Sequence, residues 1–322
     1  MTIDSSAPTL AITDPSGPLR GANTVTLAYS ASDTNTVSTL KLYYAADGIT
    51  FGSATNLTVG STSYSWTIPS ANVTTAKLKL EATDSVGNVN TATSNAFTID
   101  STAPSAPTLT RTSNAISSST SVTMTVGSCT DTSHILISET NSQPSVSDSN
   151  WQLCSTTASA FSKTVSGEGV HTIYAWAKDA AGNIASSANS IQMTLDTTAP
   201  VIAVTTPSAM QGNVSTGSVS WTLTETNVAA STNFTVEVYN GTSWSSVGTK
   251  AATAGVNSNT AYTLSSFAVP NVDVTTAKMR VTLVDAAGNS TTSQSGTFTI
   301  ESTAPVVNSF SITEGTTTTT TR

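Results

Sequence analysis

Nine of the chain's 19 carboxylates fall at three recurring places. Asp4, Asp100 and Asp196 open a junction motif of the form D-[ST]-[ST]-A-P. Asp33, Asp131 and Glu225 each begin an acid-Thr-amide or acid-Thr-hydroxyl triplet, and Asp84, Asp179 and Asp285 open a D-x-x-G-N turn. Like charges gathered within a few ångströms repel and desolvate one another, so such a trio persists only if something neutralises it. The chemistry open to it is ligation of a hard cation. Ca2+ takes about six to eight oxygens, which three carboxylates, backbone carbonyls, water and the side chain of Asn88, Asn183 or Asn289 can supply. A plainer reading stays open beside it: Asp before a Ser/Thr pair makes an Asx turn, and Asp84-Ser-Val-Gly-Asn88 makes a hairpin loop with Gly87 at positive φ.

Short alternating strands must position these acids. Counting back two, four and six residues from each turn aspartate gives Ala82, Leu80, Leu78, then Ala177, Ala175, Ile173, then Leu283, Val281, Met279. Period two marks a strand with one buried face. Other alternating runs, such as Leu40-Leu42-Tyr44 and Tyr64-Trp66-Ile68, recur at short spacing with Gly, Pro, Asn and Asp between them. Strands with one apolar and one polar face require two sheets packed face to face. About seven of them in about 100 residues make an immunoglobulin-like sandwich, in which the loops carrying the second and third acids lie at the pole where the chain enters.

The junction acids stand 96, 96 and 105 residues apart, counting Glu301 of Glu301-Ser-Thr-Ala-Pro305 as the fourth. The expected fold class is therefore all-β, with tandem immunoglobulin-like β-sandwich domains in an elongated array. Its repeats are residues 4–99, 100–195 and 196–300, with 301–322 starting a truncated fourth. Met1-Thr-Ile-Asp4 matches Phe97-Thr-Ile-Asp100 and Phe298-Thr-Ile-Glu301. The chain is thus expected to open in the last strand of a preceding repeat, as a slice of a longer array.

Composition narrows the function classes. Only 9% of the 322 residues are charged, with 11 Lys+Arg and a formal net charge of −8, while 64 Thr and 51 Ser supply the polarity. The 37% hydrophobic content, spread in alternation, argues for folding over a mucin-like stalk. A nucleic-acid partner is excluded as the default because phosphate neutralisation needs clustered Lys and Arg. No 18-residue apolar run is present to span a bilayer. G-x-S-x-G, H-E-x-x-H and P-loop motifs are all missing, and two scattered His, His134 and His171, make no triad, so no enzyme is expected.

The junction motif combined with Asp179-Ala-Ala-Gly-Asn183 and its counterparts resembles the bacterial Ig-like repeats of large cell-surface adhesins, across essentially the whole chain. The resemblance implies an exported, extracellular, non-catalytic stalk for cell adhesion. Its partners would be the neighbouring repeats of the parent chain and, through a distal domain, a host-surface protein or glycan. Calcium at domain junctions occurs in some members of that family. In an exported chain, Cys129 and Cys154 are expected to bridge. Two alternatives accompany the stalk: decoration of a phage tail or virion, and a ligand-binding module. For the latter, Tyr174 and Trp176 alternate with the inward residues of their strand and could form a sugar-stacking platform, or else pack under the loop carrying Trp151.

Overall fold

The computed structural model describes residues 4–127, 129–155 and 159–309, and every regular element among them is a strand. Met1-Thr-Ile, the expected end of a preceding repeat, lies outside the described residues. So does 310–322 of the expected fourth repeat, while 302–309 form no strand. The chain divides into two compact units. One is Met1–Asn114 with Ser121–Val165 and Val170–Met193; the other is Ala115–Thr120 with Ser166–Gly169 and Thr194–Arg322.

The first sandwich comprises β1 (Thr9–Ile12), β2 (Leu19–Arg20), β3 (Thr24–Ser32), β4 (Val37–Ala45), β5 (Thr55–Asn56), β6 (Ser63–Thr67), β7 (Val73–Asp84), β8 (Val89–Thr93) and β9 (Phe97–Asp100). A β1-β3-β6 sheet and a β2-β9-β7-β4-β5 sheet make its two layers, with β8 also on β7. The leading strand changes sheets at Pro15-Ser16-Gly17-Pro18, where neither proline can donate to a ladder and Gly17 takes φ 70°. Beyond that kink β2 runs parallel to β9, whereas β1 runs antiparallel to β3.

The alternation expected of β7 holds: Ala76, Leu78, Leu80 and Ala82 are fully buried between half-exposed Lys77, Lys79 and Glu81. Trp66 anchors this core, with Tyr44 at 5.6 Å and Phe97 edge-on at 6.0 Å between ring centroids.

The second sandwich repeats the plan with β10 (Leu109–Arg111), β11 (Ile116–Ser117), β12 (Ser121–Val126), β13 (His134–Ser138), β14 (Gln152–Leu153), β15 (Ser159–Thr164), β16 (Gly169–Lys178) and β17 (Asn189–Leu195). Its sheets are β10-β12-β15 and β11-β17-β16-β13-β14. The third has β18 (Val201–Val204), β19 (Met210–Gln211), β20 (Gly217–Val228), β21 (Asn233–Tyr239), β22 (Trp244–Ala251), β23 (Gly255–Phe267), β24 (Val274–Val284), β25 (Ser290–Gln294) and β26 (Phe298–Glu301). There β18-β20-β23 forms one layer and β19-β26-β24-β21-β22, with β25 on β24, the other. Trp221 is its core anchor, with Phe234 at 5.0 Å and Tyr262 at 6.1 Å.

On the outer faces the scarce charges pair across the two central strands with signs exchanged between repeats: Lys41–Glu81 at 3.8 Å in the first, Glu237–Arg280 at 2.5 Å in the third. Half-exposed pairs of this kind contribute at most about 1 kcal/mol each.

Candidate metal centres at the leading poles

At the pole where each sandwich begins, three pieces of backbone converge: the junction residues, the segment at or just past the end of β3, β12 or β20, and the turn that follows β7, β16 or β24. In the first sandwich one carboxylate oxygen from each of Asp4, Asp33 and Asp84 lies within 4.8 Å of the others. Asp196, Glu225 and Asp285 do the same in the third, where all three are at least nine-tenths buried. Among the described residues the ion pairs are Lys41–Glu81, Glu139–His171 and Glu237–Arg280, so neither trio has a cationic side chain to balance it.

The plainer turn readings are present as well. Asp4 Oδ1 accepts from the Ser6 N–H at 2.9 Å, and Asp84 Oδ1 accepts from the N–H groups of Val86, Gly87 and Asn88 at 2.7–2.9 Å. An Asx turn and a metal site are compatible, since each carboxylate oxygen carries two lone pairs.

Asn88, Asn183 and Asn289 tie each pole together through their amide N–H groups, which leaves their Oδ1 atoms to the ligand role expected of them. Each side-chain amide donates to the turn aspartate and to a junction carbonyl: Asn88 to Asp84 and Ser6, Asn183 to Asp179 and Asp100, Asn289 to Asp285 and Asp196, all at 2.7–3.1 Å. They are braces that tie the incoming chain to the pole. A second brace spans the other two acids. Asn35 donates its N–H to Asp33 at 2.7 Å and its side-chain amide to Asp4 at 2.5 Å; Asn227 does the same between Glu225 and Asp196 at 2.8 Å each.

The middle set, Asp100, Asp131 and Asp179, forms no such trio. Its triplet is Asp131-Thr132-Ser133, and Ser133, lacking a carboxamide, bonds instead to His134 and the Lys178 carbonyl. Asp131 is left exposed on a left-handed turn at φ 57°. Partial burial, and then the charges of Asp100 and Asp179, still push its carboxyl above the ordinary value.

Glu225 also departs from its expected place. It lies inside β20 rather than after it, opposite Asn257 between two register shifts. A bulge re-aims a side chain in this way, and the extra methylene of Glu carries its carboxylate to the pole. Burial raises its pKa; hydrogen bonds from Asn227 and Thr226 oppose this, and the charges of Asp196 and Asp285 add to the rise. At Asp84, burial also acts upward but is outweighed by hydrogen bonds from Asn88, Val86 and Gly87, leaving the carboxyl below its ordinary value.

Cys129 and Cys154 form a disulfide with their Cα atoms 5.8 Å apart. It ties the segment after β12 to the end of β14, where the Cys154 N–H also donates to the Ser133 carbonyl at 2.9 Å.

The sugar-stacking platform expected of Tyr174 and Trp176 does not form. Trp176 is 4% exposed and packs with Leu136 and Ile184 beneath Trp151 and Ala188, so its ring faces are covered, while Tyr174 is half-buried. Lys178 closes over Trp151 at 4.6 Å.

Three further residues went unnoticed in the sequence: Asn72, Glu168 and Asp273. Each stands immediately before β7, β16 or β24 and bonds to a junction hydroxyl residue 29 positions later. The constant spacing was the signal that could have found them. At Asp273, hydrogen bonds from the Thr303 hydroxyl and Ser302 N–H outweigh desolvation and hold the carboxyl at about 2. Because that pKa is depressed, the stabilisation is fully present above 3.8 and is lost as the pH falls through about 2. A carboxyl-carbon NMR titration should place the Asp273 midpoint near 2. Replacing Ser302 by Ala and Thr303 by Val should return it toward 3.8, and an unmoved midpoint would refute the assigned cause.

No protein-family model matches the sequence, and no curated protein matches it. Among solved structures, a 1.5-MDa bacterial ice-binding adhesin aligns at 19% identity over 93% of this chain and 100% of its own, with a TM-score of 0.36. A Ca2+-stabilized adhesin with which an Antarctic bacterium reaches out and binds ice aligns at 18% over 94% and 76%, TM-score 0.42. A tetra-tandem repeat from the extending region of a large adhesion protein aligns at 17% over 91% and 74%, TM-score 0.29. The functional reading rests on the chain's own residues.

Proposed function

We propose that the chain is a structural segment of an exported bacterial surface adhesin, a non-catalytic spacer between the cell and a distal binding region, stiffened by Ca2+ at the poles of its first and third sandwiches. One observation carries the reading. The same linker-holding pole is built in successive sandwiches from residues at the same relative positions, and in two of them it surrounds a carboxylate trio with no cationic partner among the described residues.

The donor chemistry fits a hard cation, with Asp4, Asp33 and Asp84 holding one ion and Asp196, Glu225 and Asp285 another. Because one ligand of each trio belongs to the incoming linker, the ion would pin that linker to the pole. Extracellular calcium would fill even a weak site of about 10⁻⁴ M. The disulfide suits an oxidising compartment.

Small-angle scattering of the full chain tests the reading. In millimolar calcium the maximum dimension should be longer and the pair-distance distribution narrower than in chelator. Superimposable profiles would remove calcium stiffening from the account.

A further inference from the structure

The hydroxyls of the junction Ser/Thr pair take no part in the acidic trios, yet the pair recurs at Ser101-Thr102, Thr197-Thr198 and Ser302-Thr303. Each pair is gripped by the sandwich it is leaving. Asn72 Oδ1 accepts from the Ser101 N–H and its amide donates to Thr102 Oγ1, both at 2.7 Å. Glu168 accepts from the Thr197 N–H at 2.9 and 3.1 Å and from the Thr197 hydroxyl. Asp273 accepts from the Ser302 N–H at 2.6 Å, the Ser302 hydroxyl at 3.0 Å, the Thr303 N–H at 3.1 Å and the Thr303 hydroxyl.

Amide and carboxylate side chains of two lengths thus perform one task at one position. Each accepts from the first backbone N–H and bonds to at least one hydroxyl of the pair. The first sandwich completes the socket with backbone, as Ser101 Oγ both donates to the Ala71 carbonyl at 2.9 Å and accepts from its N–H at 3.0 Å. A glycine makes room opposite. A Cβ on Gly21 would come within 1.9 Å of Ser101 Oγ, and one on Gly212 within 2.7 Å of Ser302 Cβ.

An isolated bond of this kind would be an ordinary loop contact. The 29-residue interval kept three times, with the residue type free to vary, marks a function at the position.

We propose that the trailing pole of each sandwich is a binding site for a hydroxyl-bearing dipeptide, filled by the chain's own linker, and that it holds the linker without any metal. The Ser/Thr pair of the junction motif is then the ligand of this site. The junction that opens at Asp196 is held twice: behind by Glu168 on Thr197, ahead by the acidic pole of Asp196, Glu225 and Asp285.

Hydrogen exchange on the full chain in chelator tests this independently of calcium. In the unsubstituted chain, the Ser101, Thr197 and Ser302 amides should stay protected after chelation. Asn72→Ala should speed exchange at Ser101 at least tenfold while leaving Thr197 and Ser302 unchanged, and Asp273→Ala should do the same at Ser302 alone. Thr102→Val alters only the linker side and leaves every sandwich core intact; it should speed exchange at Ser101 several-fold. Protection lost on chelation alone would overturn the proposal, as would exchange at Ser101 unmoved by both Asn72→Ala and Thr102→Val.

Discussion

In millimolar calcium the third sandwich is expected to melt about 10 °C or more above its midpoint in chelator. Glu225→Gln is expected to erase that gap while raising the chelated midpoint itself. The first half follows from linkage: for a buried three-carboxylate site with a Kd of about 10⁻⁵ M, millimolar calcium is about a hundred times Kd and stabilises the folded state by about 2.7 kcal/mol, and a domain of this size gains several degrees per kcal/mol. The second half follows from burial. Asp196, Glu225 and Asp285 are 2%, 4% and 7% exposed, and their charges oppose one another. Removing one charge relieves the metal-free state, while an amide oxygen at the same place keeps the bond from the Asn227 N–H.

One substitution therefore moves the two conditions in opposite directions, which a merely damaged fold would not do. Calorimetry of the full chain gives the midpoints, and equilibrium dialysis gives the count: two ions per chain, unchanged by Asp131→Asn. Three ions would mean that the middle pole closes despite Ser133. None would mean that the trios are turns and nothing more.

The frame of this picture was legible in residue order. Period-two alternation before each turn aspartate named Leu78, Leu80, Ile173, Ala175, Met279 and Val281 as inward, and all are fully buried, because a strand's faces are set by parity alone. What escaped was whatever depends on the reach of one side chain. Asn35 and Ser133 occupy the same place in their triplets, but the Asn35 side-chain amide reaches across to Asp4, whereas the shorter Ser133 hydroxyl bonds to His134 and the Lys178 carbonyl. The place of Glu225 within β20 depended on register shifts on either side of it, where the period-two burial of Val219, Trp221, Leu223 and Glu225 gives way to Val228. Trp176 obeyed parity and faced outward, yet it is covered by a loop whose path no periodicity encodes. The clasp residues were hidden because Asn, Glu and Asp share hydrogen-bonding capacity and no common letter.

The disulfide should be worth most to the one sandwich whose acidic pole does not assemble. Replacing both Cys129 and Cys154 by Ser is expected to lower the midpoint of the middle sandwich by at least about 12 °C, leaving the other two transitions in place. A bridge across 25 residues restricts the unfolded chain by roughly 3 kcal/mol. The bridge fastens the segment after β12, the same stretch that in the first and third sandwiches is drawn in by Asn35 and Asn227. Covalent fastening at the middle pole thus stands where carboxamide bracing and a cation would serve at the other two. The corresponding expectation is selective: a reductant should shift only the middle transition, and a chelator only the other two. Trp151 and Trp176 report the middle sandwich, against Trp66 for the first and Trp221 for the third, so single-tryptophan variants can assign each transition by fluorescence. If reduction and chelation instead moved the same transition, the two fastenings would belong to one sandwich and the division of labour between them would be wrong.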